Sequence, residues 1–187
     1  MGILVNHILK VRASDGTMDY LYAKCIELGV TFQDDLFPHD KSSLIDDWSD
    51  PSLQPMIQKD KWHEITWKKA VDLPTLNKDG KLAIFYEGID PADVRQGILG
   101  DCWFLSAVSA LAEKPERIKK LFMNDHLEPN EVGIYGVRVC KNGEWIDIVV
   151  DDWIPVRNDM PVFSKANGHE LWVILLEKAW AKLHGTY

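Results

Sequence analysis

Arg95–Val108 reads RQGILGDCWFLSAV and places Cys102 where a loop carrying Gly97 and Gly100 turns into an apolar helix. A helix N-terminus presents N–H groups without intrahelical partners and the positive end of the helix dipole. Both favour the thiolate, which is the nucleophilic form of cysteine. A few residues earlier stands Gln96, whose side-chain amide can join the Cys102 N–H in donating to an oxyanion. The two glycines allow the backbone to approach a substrate carbonyl closely. Together these residues suit acyl transfer to sulfur. A free cysteine is also among the most buried and inert residue types, so local context alone leaves a packing role open.

The elements that must position this loop follow from the flanking pattern. Tyr20–Leu28 has helical spacing and stops at Gly29, with Cys25 read as a packing residue inside it. From Thr31 to about Pro74 the chain reads as irregular, with four prolines, and Trp48, Trp62 and Trp67 are expected to clamp it onto a core. LAIFY (Leu82–Tyr86) reads as a short strand or an extended segment leading to the cysteine loop. Residues Trp103–Ala112 are apolar nearly all round, so this helix is expected to be buried at the centre of the fold. Pro115 opens a further helix at its first position. Gly133–Cys140 and Glu144–Val150 flank Asn142–Gly143, a hairpin signature, and Trp153–Arg157 adds a strand. His169–His184 is a helix-spaced run ending at Gly185. The fold class is α+β, with a central buried helix and a small antiparallel sheet.

Composition narrows the function classes. With 187 residues and 46% apolar content, the chain can bury one sizeable core or two small lobes. Its 29 acidic against 21 basic residues argue against nucleic acid or an anionic membrane as a partner. The acidic pairs Asp34–Asp35, Asp46–Asp47 and Asp151–Asp152 read as solvated loops, with a hard-cation site as the alternative. No apolar run is long enough for a transmembrane segment, and MGILVNHILK lacks the marks of a signal peptide. Gly2 suggests myristoylation, but Asn6 stands where that motif takes Ser or Thr. Three widely spaced cysteines, Cys25, Cys102 and Cys140, indicate neither a disulfide framework nor a zinc site, and fit a reducing, cytoplasmic compartment.

At Gln96–Glu113, QGILGDCWFLSAVSALAE resembles the active-site segment of calpains, calcium-dependent cysteine proteases with a papain-like core. FQDDLFPHDKSSL (Phe32–Leu44) looks like the opening segment of the calpain protease core, and His169–Tyr187 is similar to the helix that ends its first subdomain. The resemblance runs from about Phe32 to the C-terminus. It leaves 1–30 as an N-terminal segment with the helix read from its spacing, and implies the first, nucleophile-bearing subdomain of a calpain-type core over 31–187. It also implies a nucleophilic Cys102, an oxyanion-hole Gln96, and Trp103 as the tryptophan that follows the nucleophile. For Trp103, plain core packing is the alternative.

The resemblance further implies a general-base histidine oriented by an asparagine, both in a second subdomain. In papain-like enzymes that histidine lies ~130–150 residues beyond the cysteine. The chain ends at Tyr187, short of that distance, and none of His7, His39, His63, His126, His169 or His184 takes the matching place. The expectation is half of a protease core, inactive alone, with protein substrates and a partner subdomain supplying His and Asn. His184, close to the chain end, stays open as a pairing candidate for the cysteine. The resemblance also implies one Ca²⁺ in this subdomain, held by the carbonyls of Tyr86 and Gly88 and the carboxylates of Asp93 and Glu170. An oxygen-only set suits that ion. Asp93 also reads as a turn residue, and Glu170 as a first-turn charge on the last helix. Pro91 stands where some relatives carry an arginine that reaches the second subdomain. The other reading is a non-catalytic, calcium-responsive or protein-binding module of calpain type.

Overall fold

A computed structural model of the protein describes residues 17–77, 80–123, 127–165 and 168–187. His7, His126, Gly2, Asn6 and the MGILVNHILK segment lie outside the described residues. The described elements are α1 (Met18–Leu28), α2 (Gln54–Lys59), β1 (Thr66–Lys69), α3 (Cys102–Ala112), α4 (Pro115–Lys119), β2 (Ile134–Lys141), β3 (Glu144–Asp151), β4 (Trp153–Arg157), β5 (Met160–Pro161) and α5 (Trp172–His184). Two antiparallel sheets form, one of β1, β4 and β5 with β4 central, the other the β2–β3 hairpin. The architecture is therefore α+β, as the pattern requires.

Local signals hold where the chemistry is local. Gly29 ends α1 in the left-handed region at φ 62°. The β2–β3 turn passes through Asn142 at φ 55° and Gly143 at φ 83°, the two positive values a type I′ turn needs. Pro115 sits in the first turn of α4. Cys25 is buried beside Met18 and Leu21, against Ile134 and Val149 of the hairpin.

The main core lies between α3, the hairpin and α5. Phe104, Leu105 and Val108 face Val137, Val150, Trp172 and Leu176. Helix α5 is buried on nearly every side, and each large apolar side chain it removes from water contributes about 1.5–3 kcal/mol. A second cluster gathers Trp62, Ile57 and Phe163, with Trp48 and Trp67 packed against it, so the tryptophans do clamp the 31–74 segment. That segment is less irregular than its prolines suggest, since it contains α2 and β1, and β1 pairs with β4 from Thr66↔Val156 to Lys69↔Trp153. Strand partners so far apart in sequence leave no local signal.

Several expectations are corrected. Leu82–Tyr86 is not a strand. It makes a single bridge, Ala83↔Glu170, and its carbonyls at Ala83 and Ile84 accept from Leu171 and Trp172 at the start of α5. Helix α5 begins at Trp172, so Glu170 lies before its first turn. Helix α3 is buried on one side only. Cys102, Trp103, Ser106, Ala107 and Ala110 are exposed, and Trp103, at 60% exposure, is not a core residue. Apolar composition does not say how many neighbours a helix finds, and α3 is packed from one side alone. The acidic pairs also divide. Asp35, Asp46 and Asp47 are solvated, but Asp34, Asp151 and Asp152 are buried. Lys178 and Lys182 of α5 reach Asp151 and Asp34, which keeps those two carboxylates inside. Burial pushes Asp152 up to about 6.

Candidate active site

Cys102 is the first residue of α3 and is exposed. The Asp101 carbonyl already accepts from Phe104 N–H (2.8 Å) and Leu105 N–H (3.1 Å), which sets the first turn. The N–H groups of Cys102 and Trp103 come before any possible intrahelical acceptor, so they remain for a ligand. The sulfur borders a cleft of about 460 Å³ whose walls include Pro91, Val94, Gln96 and Ser106. Ser106 donates to the Cys102 carbonyl (2.7 Å), and Ser109 donates to the Pro91 carbonyl (3.2 Å), tying the preceding loop to the helix.

The loop that carries Gln96 is fixed from behind. Arg95 and Lys165 exchange backbone hydrogen bonds (3.1 and 2.8 Å), and Ile98 N–H donates to Val162 O (3.0 Å). Gln96 is brought to the same cleft as Cys102, and its amide donates to Leu99 O (2.7 Å). A primary amide has two N–H donors, so one can anchor the side chain while the other stays available.

No histidine among the described residues lines this cleft. His39 stacks on Trp153, His63 packs on Trp48, and His169 lies against Tyr86. His184 directs Nδ1 to the Trp180 carbonyl (2.9 Å) and lines a separate cavity behind the loop. It is not paired with Cys102.

On the other side of the loop, Asp93 and Glu170 interact electrostatically. Burial pushes Glu170 up to about 7, and the Asp93 charge adds to the rise. Burial likewise raises Asp93. Glu170 accepts from Tyr86 N–H (3.3 Å), and Asp93 accepts from Asp90 N–H (2.7 Å), so each keeps further lone pairs. After Tyr86 the backbone turns through Glu87 at φ 55° and Gly88 at φ 117°. A cation would relieve the repulsion of these carboxylates. Among the described residues no group of three ligating side chains assembles, so backbone carbonyls must complete any such site. Oxygen donors of the kind at Tyr86, Gly88, Asp93 and Glu170 are those a hard ion takes.

Sequence reasoning missed Asp101 and Glu177. Asp101 occupies the N-cap position of α3 but makes no side-chain cap bond, and its carboxyl turns inward. Glu177 of α5 is buried and accepts from Ser164 N–H with both oxygens. The only trace in the sequence is a glutamate inside the apolar run LLEKAW.

Comparison with known proteins agrees with this arrangement. The calpain family cysteine protease profile matches residues 32–187. The calpain-type cysteine protease ADL1 of Oryza sativa subsp. japonica is 42% identical over 159 residues, which is 83% of this chain and 7% of that protein. Calpain-13 of Rattus norvegicus is 33% identical over 179 residues, 95% of this chain and 25% of its own length. The calpain-1 catalytic subunit of Rattus norvegicus is 34% identical over 169 residues, 89% of this chain and 22% of its own. The chain thus spans a quarter or less of each of these relatives. By its profile match and its α+β architecture, this chain belongs to the calpain family of cysteine proteases and has the papain-like fold of the calpain protease core.

Proposed function

We propose that this chain is the nucleophile-bearing subdomain of a calcium-dependent, cytoplasmic cysteine endopeptidase acting on protein substrates. The observation that carries the reading is an exposed Cys102 at a helix N-terminus, sharing a cleft with the Gln96 amide. In the reaction, the thiolate attacks the scissile carbonyl carbon and a C–S bond forms. The carbonyl π pair moves to oxygen, where the Cys102 N–H and a Gln96 amide N–H receive the negative charge. The tetrahedral centre collapses, the C–N bond breaks, and the amine leaves with a proton from an imidazolium. Water then cleaves the thioester and restores the thiol. The imidazole and the asparagine that orients it belong to a second subdomain, so this chain alone is inactive.

Tyr86 O, Gly88 O, Asp93 and Glu170 would hold the Ca²⁺, which supplies charge neutralisation beside the loop. Asp93 lies just before Gln96 in that loop, so fixing Asp93 fixes the stretch that presents the oxyanion donor. With only two charged ligands, affinity is expected to be weaker than about 10⁻⁵ M. Isothermal titration of the chain with Ca²⁺ tests this. Asp93→Asn, which keeps an acceptor for Asp90 N–H but removes the charge, should weaken binding at least about tenfold (RT ln 10, about 1.4 kcal/mol). Unchanged binding removes the site.

The other reading, a calpain-like binding module without catalysis, is favoured by the Gln96 bond to Leu99 O and by a cleft without histidine. Peptide cleavage by the longest form of the protein that carries this chain separates the two. Calcium-dependent cleavage supports the protease, and none at any calcium level supports the module.

A further inference from the structure

We propose that Glu177 and Asp101 share one proton, and that this acid pair is the positioning element that holds the Cys102 helix tip and the Gln96 loop on one support. Glu177 is 3% exposed, and both its oxygens accept from Ser164 N–H (3.0 and 2.8 Å). Ser164 belongs to the Val162–Lys165 segment whose backbone holds Arg95 and Ile98, the residues on either side of Gln96–Gly97. Through Ser164, Glu177 therefore fixes the back of the Gln96 loop.

Its other neighbour is the residue immediately before the nucleophile. Asp101 is 9% exposed, and neither of its carboxyl oxygens meets an N–H or O–H donor. It borders the same cavity as Glu177, and the two carboxyls perturb each other across it. Two ionised carboxylates so placed repel and lose their hydration, whereas one proton between them makes a short O–H···O bond. Burial raises both groups, Glu177 the more strongly.

No described cation offers a competing partner. The cavity bordered by Asp101 and Glu177 also meets His184 and Tyr187, but His184 bonds the Trp180 carbonyl and the Tyr187 hydroxyl is buried without a partner. On the neighbouring face of α5, Lys178 is engaged by Asp151 and the Trp153 carbonyl. The Val162–Lys165 segment brings the Ser164 N–H to Glu177 and sets the Ser164 hydroxyl beside it, neither of them a cation. A single buried side chain thus stands behind both parts of the site, through Ser164 on one side and Asp101 on the other.

The proposal deepens the protease reading and rests on it for the roles of Cys102 and Gln96. The proton-sharing clamp itself is tested without any cleavage assay. Thermal unfolding of wild type, Glu177→Gln and Asp101→Asn is followed from pH 5 to 9, with peptide-resolved iodoacetamide labelling of Cys102 on the same samples. In Glu177→Gln the new side-chain amide still accepts from Ser164 N–H and donates permanently to Asp101. The folded-state pKa of Glu177 is raised, so its contribution is present at low pH and is lost as pH rises through that value. Glu177→Gln should therefore match wild type near pH 5 and exceed it in melting temperature increasingly towards pH 9, and Asp101→Asn should show the same trend. Cys102 labelling near pH 9 should be several-fold faster in Glu177→Gln, because the second buried charge behind the helix tip that carries Cys102 is gone. A Glu177→Gln deficit that is constant with pH, or a labelling profile identical to wild type, overturns the shared proton. If the stability curves diverge as stated while the longest form of the protein never cleaves peptide, the clamp stands and the protease reading falls.

Discussion

Lys178→Met will destabilise this chain by about 3–5 kcal/mol, the range for removing one partner of a buried ion pair. Lys178 is 1% exposed, and its ammonium reaches the Asp151 carboxylate as well as the carbonyls of Asp151 (3.0 Å) and Trp153 (2.7 Å). Asp151 is fully buried at the end of β3. Its other contacts are the N–H groups of Trp153 (3.0 Å) and Asp34 (2.9 Å), with His39 Nδ1 at 3.9 Å. A methionine fills similar volume but leaves Asp151 a buried anion that has lost its ammonium and keeps only the more distant His39 ring. Lys182, bound to Asp34 (2.6 Å) and Val149 O (2.7 Å), cannot also move to Asp151 without abandoning both. The effect spreads to the site, because α5 carries Glu177 and stacks Trp180 on Phe104 of α3 (centroids 5.2 Å). Urea unfolding followed by tryptophan fluorescence measures it. A loss under about 1 kcal/mol would mean that the pair is solvated, as surface pairs are. Pairing Lys178→Met with Asp151→Asn should recover a large part of the deficit, since no unpaired charge then remains.

Gly97→Ala will damage the site more than the fold. A Cβ on Gly97 would stand 1.7 Å from Phe163 O and 2.2 Å from Val162 O, both backbone atoms that cannot rotate away. Relief requires separating the two segments, which breaks the Arg95–Lys165 exchange and the Ile98–Val162 bond. These net hydrogen bonds contribute about 1 kcal/mol each, so the chain should lose about 2–3 kcal/mol and still fold. Gln96 lies within the displaced stretch. A misplacement near 1 Å can cost about 10²-fold in rate, and peptide cleavage by the longest form of the protein should fall by at least that. Gly100→Ala is the control, because no atom lies within 4 Å of its added Cβ, and it should change activity less than about threefold (under 1 kcal/mol). Equal activity in Gly97→Ala and wild type would mean that the loop's position behind Gln96 does not matter.

What is legible in the sequence has local causes. The helix tip at Cys102, the Gly29 stop, the Pro115 start and the Asn142–Gly143 turn each depend on a few adjacent residues. The missing features depend on partners far along the chain. Asp34 and Asp151 look solvated in the sequence because their cations stand on α5. Leu82–Tyr86 has strand composition but meets only Glu170 and the start of α5. Trp103 looks like core by type, and only packing from one side of α3 decides that it is exposed. Within the site, the motif locates Cys102 and Gln96. It does not disclose that Gln96 is anchored on Leu99 O, or that Glu177 backs both residues. An acid pair joined across two helices has no spacing that a single sequence can display.

The central claim is that Cys102 is a nucleophile completed by a second subdomain under calcium control. Labelling of the longest form of the protein with an epoxysuccinyl probe, resolved to the Cys102 peptide, tests it most directly. The predicted result is labelling of Cys102 that requires calcium and far exceeds that of the exposed Cys140. Absence of Cys102 labelling at every calcium concentration, or reactivity equal to that of Cys140, would contradict the account.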